Sequence, residues 1–409
     1  MDWRHLTSAS TGVLLRYTAK AMRTPSRFAV VALAFAIAVP AFAEDAYVYL
    51  GTYTVRGGGA SKDPSSKGIY VAKMNLDTGE MTKPEVAAEI ANPSFLTVHQ
   101  NGKYLFAVGE LYGTGEKPGG VVTAFTIDRG TGKLTQINQQ PAQGGGTCHI
   151  TVDKTGKFVL LANYGTGSVA SFPIGADGSL GANVSTIQHK GSSVNPKRQQ
   201  GPHAHSINID ATNKYAVAAD LGTDKLYIYK FDAKTGTLSE HSDISMKPGA
   251  GPRHFNFHPS NKYAYAINEM HSTVTAMSFD ALTGRLTEIQ SIPTIPVEPE
   301  ATMSTAEILV HPSGNFVYGS NRGHDSIAVF TIDKKTGKLA RAENEPTQGK
   351  TPRNFGISPD GKWLVAANQN SDSLVVFKID GKTGTLTPTG QKLDAPMPVC
   401  VRFLRLGKK

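Results

Sequence analysis

The sequence predicts an all-β fold, a seven-bladed β-propeller whose ring is closed by the N-terminal and C-terminal strands sharing one blade. Three observations lead to this prediction. The 42 glycines and 23 prolines are spread along 409 residues, which indicates many turns and short strands. One short phrase recurs seven times. The stretches between its copies repeat a strand–turn–strand pattern.

The recurring phrase is an acidic residue, a glycine shortly after it, and a Leu or Met two positions beyond the glycine. Its glycines are Gly79, Gly132, Gly178, Gly236, Gly284, Gly337 and Gly384, with a mean period of about 51 residues. The acidic residue favours the start of a tight turn, and the glycine takes a position with positive φ. Each phrase is therefore predicted to close a β-hairpin.

Four strands in each period of this length are typical of a propeller blade. The segment DAYVYLGTYT (45–54) lacks an innermost strand, and VCVRFLRL (399–406) has the pattern of one. The two ends are therefore predicted to share a blade, which removes the open sheet edges. Two β-sandwiches are the alternative, but they do not explain one period kept through the whole mature chain.

Residues 1–43 have the layout of a secretory signal peptide. Two arginines precede an apolar run that ends in a small-residue cleavage motif at Ala43, and Met22 is a second candidate start. A membrane anchor is the weaker alternative, because a span needs about 20 apolar residues. We expect 44–409 to be one mature propeller domain that is periplasmic or secreted and not held in a membrane.

The charge balance narrows the choice of partners. The chain has 42 basic and 33 acidic residues, a net charge of +9, and without residues 1–43 the counts are 37 and 32. No basic cluster accompanies this excess, which argues against nucleic acid and suits a small anionic ligand. Cys148 and Cys400 are too few for a disulfide framework, and we expect both to be free. We also expect a monomer without a cofactor.

The alternating directions of strands A to D, counted outward from the axis, sort the loops of a propeller between two faces. The A–B turns and the seven glycine phrases lie on one face, which we call the turn face. His99, His258 and His311 belong to its repeated turns and are predicted to be structural. The D-to-A crossovers and B–C loops lie on the opposite face, which we call the mouth face, where the repeats diverge.

Two rows of residues are predicted to meet at the mouth face. The row before strand A is Ser94-Phe95, Cys148-His149, His205-Ser206, Arg253-His254, Ala306-Glu307, Arg353-Asn354 and Val399-Cys400. The row at the end of strand B is Gly51-Thr52, Gly109-Glu110, Asn163-Tyr164, Asp220-Leu221, Asn268-Glu269, Asn321-Arg322 and Asn368-Gln369. The recurring Asn or Asp is expected to cap a turn. The charged residues beside it are not required by the repeat and mark a candidate site.

Other site motifs are missing or lack their context. The sequence holds no Gly-x-Ser-x-Gly elbow, no His-Glu-x-x-His and no P-loop. GTGSVA (165–170) imitates a dinucleotide fingerprint, but it lies between predicted strands. PHAH (202–205) is a candidate for half of a metal site, yet no acidic cluster of suitable spacing accompanies it, and we predict no metal.

Several motifs carry a family resemblance. GTYT, GPHAHS, GPRHFNFHP, SNRGHDSI, TPRNFGISPDG and PVCVRF occur in order between residues 46 and 406. They resemble the seven-bladed propeller lactonases, which include the propeller-type 6-phosphogluconolactonase and the fungal carboxy-muconate lactonizing enzyme. The resemblance implies a lactone hydrolase of carbohydrate metabolism with catalytic His205, Arg253, Glu269 and Arg322. The predicted signal peptide departs from an enzyme of a cytoplasmic sugar phosphate, so an unphosphorylated aldonolactone stays open as the substrate.

Lactone opening needs a deprotonated water near the carbonyl carbon and a donor for the oxygen that becomes negative. Glu269 and His205 are both candidates for the general base. Arg253 and Arg322 are candidates for stabilising the oxyanion or for binding a substrate carboxylate or phosphate. The residues predicted to bind substrate or complete the pocket wall are His149, His203, Asp220, His254, Glu307 and Arg353.

Two alternatives stay open from the residues alone. One is that Arg253 and Glu269 form only an inter-strand ion pair. The other is a non-enzymatic exported propeller that binds a small ligand or a protein partner, since the fold alone does not decide function. The mixture of acid, base and cations at one mouth favours an enzyme.

Overall fold

The computed structural model describes residues 44–54, 66–113 and 119–408 as seven four-stranded antiparallel sheets. A single 3₁₀ turn, Gln369–Ser371, is the one helical element in these ranges. None of the described segments forms a helix long and apolar enough to cross a membrane. The predicted signal peptide lies outside the described residues.

Each sheet is one blade, and its four strands follow one another from the axis outward. Blade 1 is β28 (Pro398–Lys408), β1 (Glu44–Thr52), β2 (Gly68–Asn75) and β3 (Glu85–Glu89). Blade 2 is β4 (Phe95–Val98), β5 (Tyr104–Gly109), β6 (Val121–Ile127) and β7 (Leu134–Pro141). Blade 3 is β8 (Thr147–Val152), β9 (Phe158–Asn163), β10 (Ser168–Pro173) and β11 (Ser185–Gln188).

The remaining four blades follow in chain order. Blade 4 is β12 (Ala204–Ile209), β13 (Tyr215–Asp220), β14 (Lys225–Phe231) and β15 (Leu238–Ser245). Blade 5 is β16 (Pro252–Phe257), β17 (Tyr263–Asn268), β18 (Thr273–Asp280) and β19 (Arg285–Pro293). Blade 6 is β20 (Ser304–Val310), β21 (Phe316–Arg322), β22 (Ser326–Ile332) and β23 (Leu339–Pro346). Blade 7 is β24 (Pro352–Ile357), β25 (Trp363–Asn368), β26 (Ser373–Ile379) and β27 (Leu386–Asp394).

The ring is closed by the two ends of the chain, as predicted. β28 pairs antiparallel with β1 and places Arg402 opposite Tyr49. The innermost strands contact one another all the way round, from β4 through β8, β12, β16, β20, β24 and β28 back to β4. The closing strand therefore contacts the blades on both sides of it.

The glycine phrases of the turn face join neighbouring blades. All seven glycines have the predicted positive φ. At Gly236 φ is +75°, and a Cβ atom there would lie 2.3 Å from Cδ1 of Phe158 in the preceding blade. The hydroxyl of Tyr265 donates to the carbonyl oxygen of Gly337 at 3.1 Å across another blade interface. The repeated glycine is thus required both by the turn and by the packing of an aromatic ring against it.

The three turn-face histidines have the structural surroundings that the repeat predicted. Nε2 lies within hydrogen-bond distance of a glycine carbonyl oxygen in the next blade: 2.9 Å for His99 and for His258, and 2.8 Å for His311. These contacts connect successive A–B turns.

The apolar core lies between the blades. One cluster joins Tyr49 of β1, Phe106 of β5 and Leu161 of β9, so that it spans three blades. The outermost strands are mostly exposed or partly buried, and β19 and β23 each have one buried residue, Leu286 and Leu339. Cys148 and Cys400 are buried and free, as predicted.

Candidate active site

A β-bulge near the start of the innermost strand shapes the mouth face. In blade 4, Ala204 lies opposite Asp220 and Ser206 opposite Ala219, so His205 is an extra residue in the ladder. A register shift occurs at the corresponding place in six of the seven blades. The residues at these shifts are Cys148, His205, Arg253, Ala306-Glu307, Arg353 and Val399. A bulge re-aims the side chain of its extra residue, and such bulges are common beside active sites.

Five of the bulged residues line one pocket. Cys148, His205, Arg253, Arg353 and Val399 all form part of its wall. The rest of the wall consists of Tyr53, Ser94, Phe95, Glu110, His254 and Asn354. Six blades therefore share the bulge, and five of them use it to present different side chains to the pocket.

Glu269, directly after β17, is the centre of an arginine cluster. Nε of Arg253 and Nη2 of Arg322 lie 3.0 and 3.1 Å from its Oε2. Nη2 of Arg198 donates to its Oε1 at 2.9 Å. Three of the four residues that the family resemblance implies are thus in direct contact, and three guanidinium groups share one carboxylate.

The pKa directions follow from this crowding. Burial raises the pKa of Glu269, but Arg322, Arg253 and Arg198 outweigh it and hold that pKa well below its ordinary value. Burial, together with repulsion from Arg253, lowers the pKa of Arg322 to about 10 even though Glu269 opposes the shift. Burial and repulsion from Arg353 also lower the pKa of Arg253. The cations destabilise one another, so the cluster favours an added anion.

Arg198 is a residue that sequence reasoning missed. It lies on the crossover between β11 and β12, outside both polar rows, and Nη2 also donates to the hydroxyl of Tyr164 at 3.1 Å. This crossover, residues 189–203, is the longest of the seven D-to-A connections. Its length was the available signal, because long ordered loops in compact folds often carry function.

A layer of interlocked side chains lies beside Arg253. Nη1 of Arg253 donates to Nε2 of His254 at 3.1 Å, and Nδ1 of His254 donates to Oε1 of Glu307 at 2.8 Å. Oε2 of Glu307 accepts a hydrogen bond from the amide of Asn354. Burial, with repulsion from Arg253, holds the pKa of His254 well below its ordinary value, so the ring is neutral. His254 and Glu307, predicted to bind substrate, have the geometry of positioning residues that fix Arg253.

His149 packs in the same layer. Its ring centroid lies 4.3 Å from that of Phe95 and 5.5 Å from that of His254. Its Nδ1 accepts a hydrogen bond from the backbone amide of Ile207 at 3.3 Å. Burial lowers its pKa well below the ordinary value. His149 is not among the residues of the pocket wall, so its role in substrate binding stays a prediction.

His205 lies between this layer and the rim. Its Nδ1 is 3.5 Å from Sγ of Cys148, and its ring centroid is 5.1 Å from that of Tyr164. Burial, with repulsion from Arg253, holds the pKa of His205 well below its ordinary value. At the rim, the ring of His203 stacks on Tyr164 at 4.5 Å, and its Nδ1 lies 2.8 Å from the Tyr164 carbonyl oxygen.

A second charged group closes the other side of the pocket. The hydroxyl of Tyr53 donates to Oε2 of Glu110 at 2.8 Å, and the Arg353 guanidinium carbon lies 5.4 Å from the centre of the Tyr53 ring. Burial alone would lower the pKa of Arg353. The nearby Tyr53, Glu110 and Glu269 outweigh it and raise this pKa above the ordinary value. Arg353 is therefore a permanent cation in the pocket wall, as its predicted role requires.

Asp220 has a different environment from the other predicted residues. It is fully buried, and Oδ1 accepts hydrogen bonds from the backbone amides of His203, Gly222 and Thr223. Oδ2 lies 2.6 Å from Nδ1 of His189. Both oxygens are occupied by the protein itself, as in a turn cap. We therefore leave Asp220 out of the proposed substrate ligands.

The described residues offer no group of three or more His, Cys, Asp or Glu side chains placed to hold a metal ion. His203 and His205 of the PHAH segment instead contact Tyr164 and Cys148.

Comparison with known proteins identifies the family. The profile described as "Lactonase, 7-bladed beta-propeller" matches residues 47–403, and the chain belongs to this family. The 6-phosphogluconolactonase of Bacillus subtilis is 40% identical over 356 residues, which cover 87% of this chain and 97% of that protein.

Two solved structures show the same fold. A putative 6-phosphogluconolactonase from Bacteroides fragilis superposes with a TM-score of 0.79 at 35% identity and covers 88% of this chain and 98% of its own. A periplasmic gluconolactonase from Pseudomonas aeruginosa gives a TM-score of 0.81 at 31% identity. The match covers 89% of this chain and 100% of that one. The predicted family, fold and enzyme class, a lactonase, are confirmed, and the alternative of a non-enzymatic propeller loses its support.

Proposed function

We propose that this protein hydrolyses a gluconolactone-type sugar lactone at the mouth face, next to the pocket that His205 and Arg253 line, and releases the open-chain acid. The observation that supports this proposal is the arrangement around Arg253. A neutral histidine, His205, lines the same pocket as this buried cation, and the cation is fixed by Glu269 on one side and by His254 on the other. In such a site the histidine can deprotonate water, and the arginine can stabilise the negative oxygen that forms when this water attacks the lactone carbonyl.

We assign the general base to His205 rather than to Glu269. Both oxygens of Glu269 contact arginines, so neither is free to take a proton from water. The thiol of Cys148 lies 3.4 Å from the carbonyl oxygen of His205 and can donate to it, which leaves the sulfur to accept from Nδ1 of that imidazole. Nε2 then keeps a lone pair for the attacking water.

In this mechanism, His205 takes a proton from water as the oxygen attacks the lactone carbonyl carbon. Arg253 and Arg322 then stabilise the negative oxygen of the tetrahedral intermediate, and Glu269 holds both guanidinium groups in place. When the ring C–O bond breaks, the imidazolium of His205 returns its proton to the departing ring oxygen. The product is a hydroxy acid, and water is the only co-reactant.

The experiment that tests this function is a hydrolysis panel. Gluconolactone, 6-phosphogluconolactone and a muconolactone are supplied to the purified protein with and without EDTA, and acid release is followed. We expect turnover of at least one lactone well above its spontaneous hydrolysis and no effect of EDTA. No turnover on any of the three would contradict the proposed function.

We further propose that the mature protein begins at Glu44, is exported to the periplasm or secreted, and acts as a monomer. The small-residue motif Ala41-Phe42-Ala43, which ends directly before Glu44, supports this boundary. The N-terminal sequence of protein recovered from the periplasm is expected to begin at Glu44. Recovery of the uncleaved chain from the cytoplasm would overturn the export proposal and favour a phosphorylated substrate.

A further inference from the structure

Arg198 differs from the other two arginines of the cluster in its exposure. Its side chain is 42% exposed, against 3% for Arg253 and 14% for Arg322. The other two also donate to backbone carbonyl oxygens, Arg253 to Ala306 at 2.8 Å and Arg322 to Thr305 at 2.7 Å. Arg198 is therefore the guanidinium group that can leave Glu269 without breaking the pocket wall.

The backbone that carries Arg198 is held in place. Oδ1 of Asn195 accepts from the backbone amides of Lys197 and Arg198, and the fully buried side chain of Gln199 donates to the carbonyl oxygen of Leu221 at 2.8 Å. The loop is thus fixed on both sides of Arg198. Motion of the side chain alone is enough to take the guanidinium group away from Glu269, since an arginine stem has several rotatable bonds.

The charges around Glu269 define what the moving group can bind. Three guanidinium groups face a single carboxylate, so two positive charges have no counter-charge inside the cluster. Among the described residues, Arg198 uses only Nη2, for Glu269 and Tyr164, which leaves Nε and Nη1 for a ligand. A guanidinium group with two such donors matches a phosphate or a carboxylate.

We propose that Arg198 is the specificity-determining residue of this lactonase: it moves from Glu269 to a second anionic group on the substrate, a phosphate monoester or a carboxylate. This inference rests on the proposed lactone hydrolysis. Arg198 thereby selects anionic lactones over neutral ones, and its departure frees Oε1 of Glu269 to accept a hydrogen bond from a sugar hydroxyl.

The test compares Arg198→Gln with Lys197→Gln, which removes the same charge from the adjacent, exposed position. Arg198→Gln is expected to lower kcat/KM for 6-phosphogluconolactone by about 10- to 100-fold, the usual effect of losing a charge-assisted hydrogen-bonded pair. The loss for gluconolactone is expected to be much smaller, Lys197→Gln to change neither value, and Arg198→Lys to restore part of the loss. Melting temperatures of all variants establish that they are folded.

The two anionic sources are separated by the substrate panel. If Arg198→Gln lowers kcat/KM only for 6-phosphogluconolactone, the bound group is a phosphate. If it lowers kcat/KM only for the muconolactone, the bound group is a carboxylate. An equal loss for neutral and anionic lactones, or no loss for any, would overturn the proposal.

A binding titration keeps this inference distinct from the proposed function. Calorimetry with 6-phosphogluconate and gluconate requires no turnover. If the parent protein hydrolyses no lactone, the proposed function fails, and the titration still decides about Arg198. Weaker binding of 6-phosphogluconate to Arg198→Gln, with gluconate binding little changed, supports the anion-binding role. Equal binding of 6-phosphogluconate to parent and variant rules out the phosphate, and it contradicts the proposal as a whole when kcat/KM for the muconolactone is also unchanged.

Discussion

The turn face and the mouth face are built from the same repeat but use polar side chains in opposite ways. On the turn face, His258 is partly exposed and bonds to the carbonyl oxygen of Gly314, and the equivalent contact recurs at two other blade interfaces. On the mouth face, His205 and His254 are buried next to Arg253 and have no repeated partner among the described residues. Repetition therefore marks residues that join blades, and departure from repetition marks the site.

The largest expected effect contrasts two histidines. His205→Asn is expected to lower kcat by about 10²–10⁴, because it removes the proposed general base. His258→Asn on the turn face is the matched control and is expected to lower the melting temperature while turnover stays near that of the parent. Steady-state kinetics and thermal unfolding on both variants make the comparison. Parent-like turnover in His205→Asn would instead return the role of base to Glu269.

The second prediction concerns stability at acid pH. Burial holds the pKa values of His149, His205 and His254 below the ordinary value of 6.5. Below that pH the unfolded chain binds protons that the folded chain excludes, so stability is greatest above pH 6.5 and falls as the pH drops. Each histidine contributes up to about 1.4 kcal/mol per pH unit.

Urea unfolding at a series of pH values between about 7.5 and 5.5 measures this slope. His149→Gln is expected to lower the pH slope of the free energy of unfolding by the contribution of one histidine, up to about 1.4 kcal/mol per pH unit. Glu269 acts in the same direction at lower pH, because its depressed pKa makes its contribution present above 4.5 and lost as the pH falls further. A free energy of unfolding that is constant across the series would contradict the buried neutral histidines.

The smallest effect belongs to the turn face. Gly236→Ala is expected to destabilise the protein by about 1–3 kcal/mol, since alanine is strained at φ +75° and its Cβ atom meets Phe158. Gly381→Ala is the matched control, because nothing lies within 4 Å of a Cβ atom there. Turnover per folded molecule is expected to be unchanged in both. A strong loss of turnover in Gly236→Ala would show that the two faces are coupled.

The sequence was sufficient for the fold because the fold depends on what repeats. The glycine phrases encode both a turn and a blade interface, as Gly236 and Phe158 show, so their spacing fixes the number of blades. The predicted mouth rows also brought His205, Arg253, Glu269 and Arg322 to the right face. The alternating directions of the strands assign the neighbours of these residues to the same face. They do not predict which side chains contact one another.

Two features of the site were not predicted from the sequence. The bulge that re-aims His205 is a register shift, which leaves no mark in a strand pattern. Arg198 reaches Glu269 from a crossover whose path depends on Asn195 and Gln199. Asp220, by contrast, stands at the position where the repeat predicts a capping Asn or Asp, and its hydrogen bonds from the amides of Gly222 and Thr223 match that role.

The central claim is that the mouth face performs catalysis and that Arg253 and Glu269 are more than an ion pair. Arg253→Met, measured for kcat and melting temperature on one preparation, tests it most directly. We expect kcat to fall by about 10²–10³, as for loss of an oxyanion donor. We expect little change in melting temperature, because Arg198 and Arg322 still pair with Glu269 and repulsion within the cluster is relieved. A large drop in melting temperature with nearly full turnover would contradict the account.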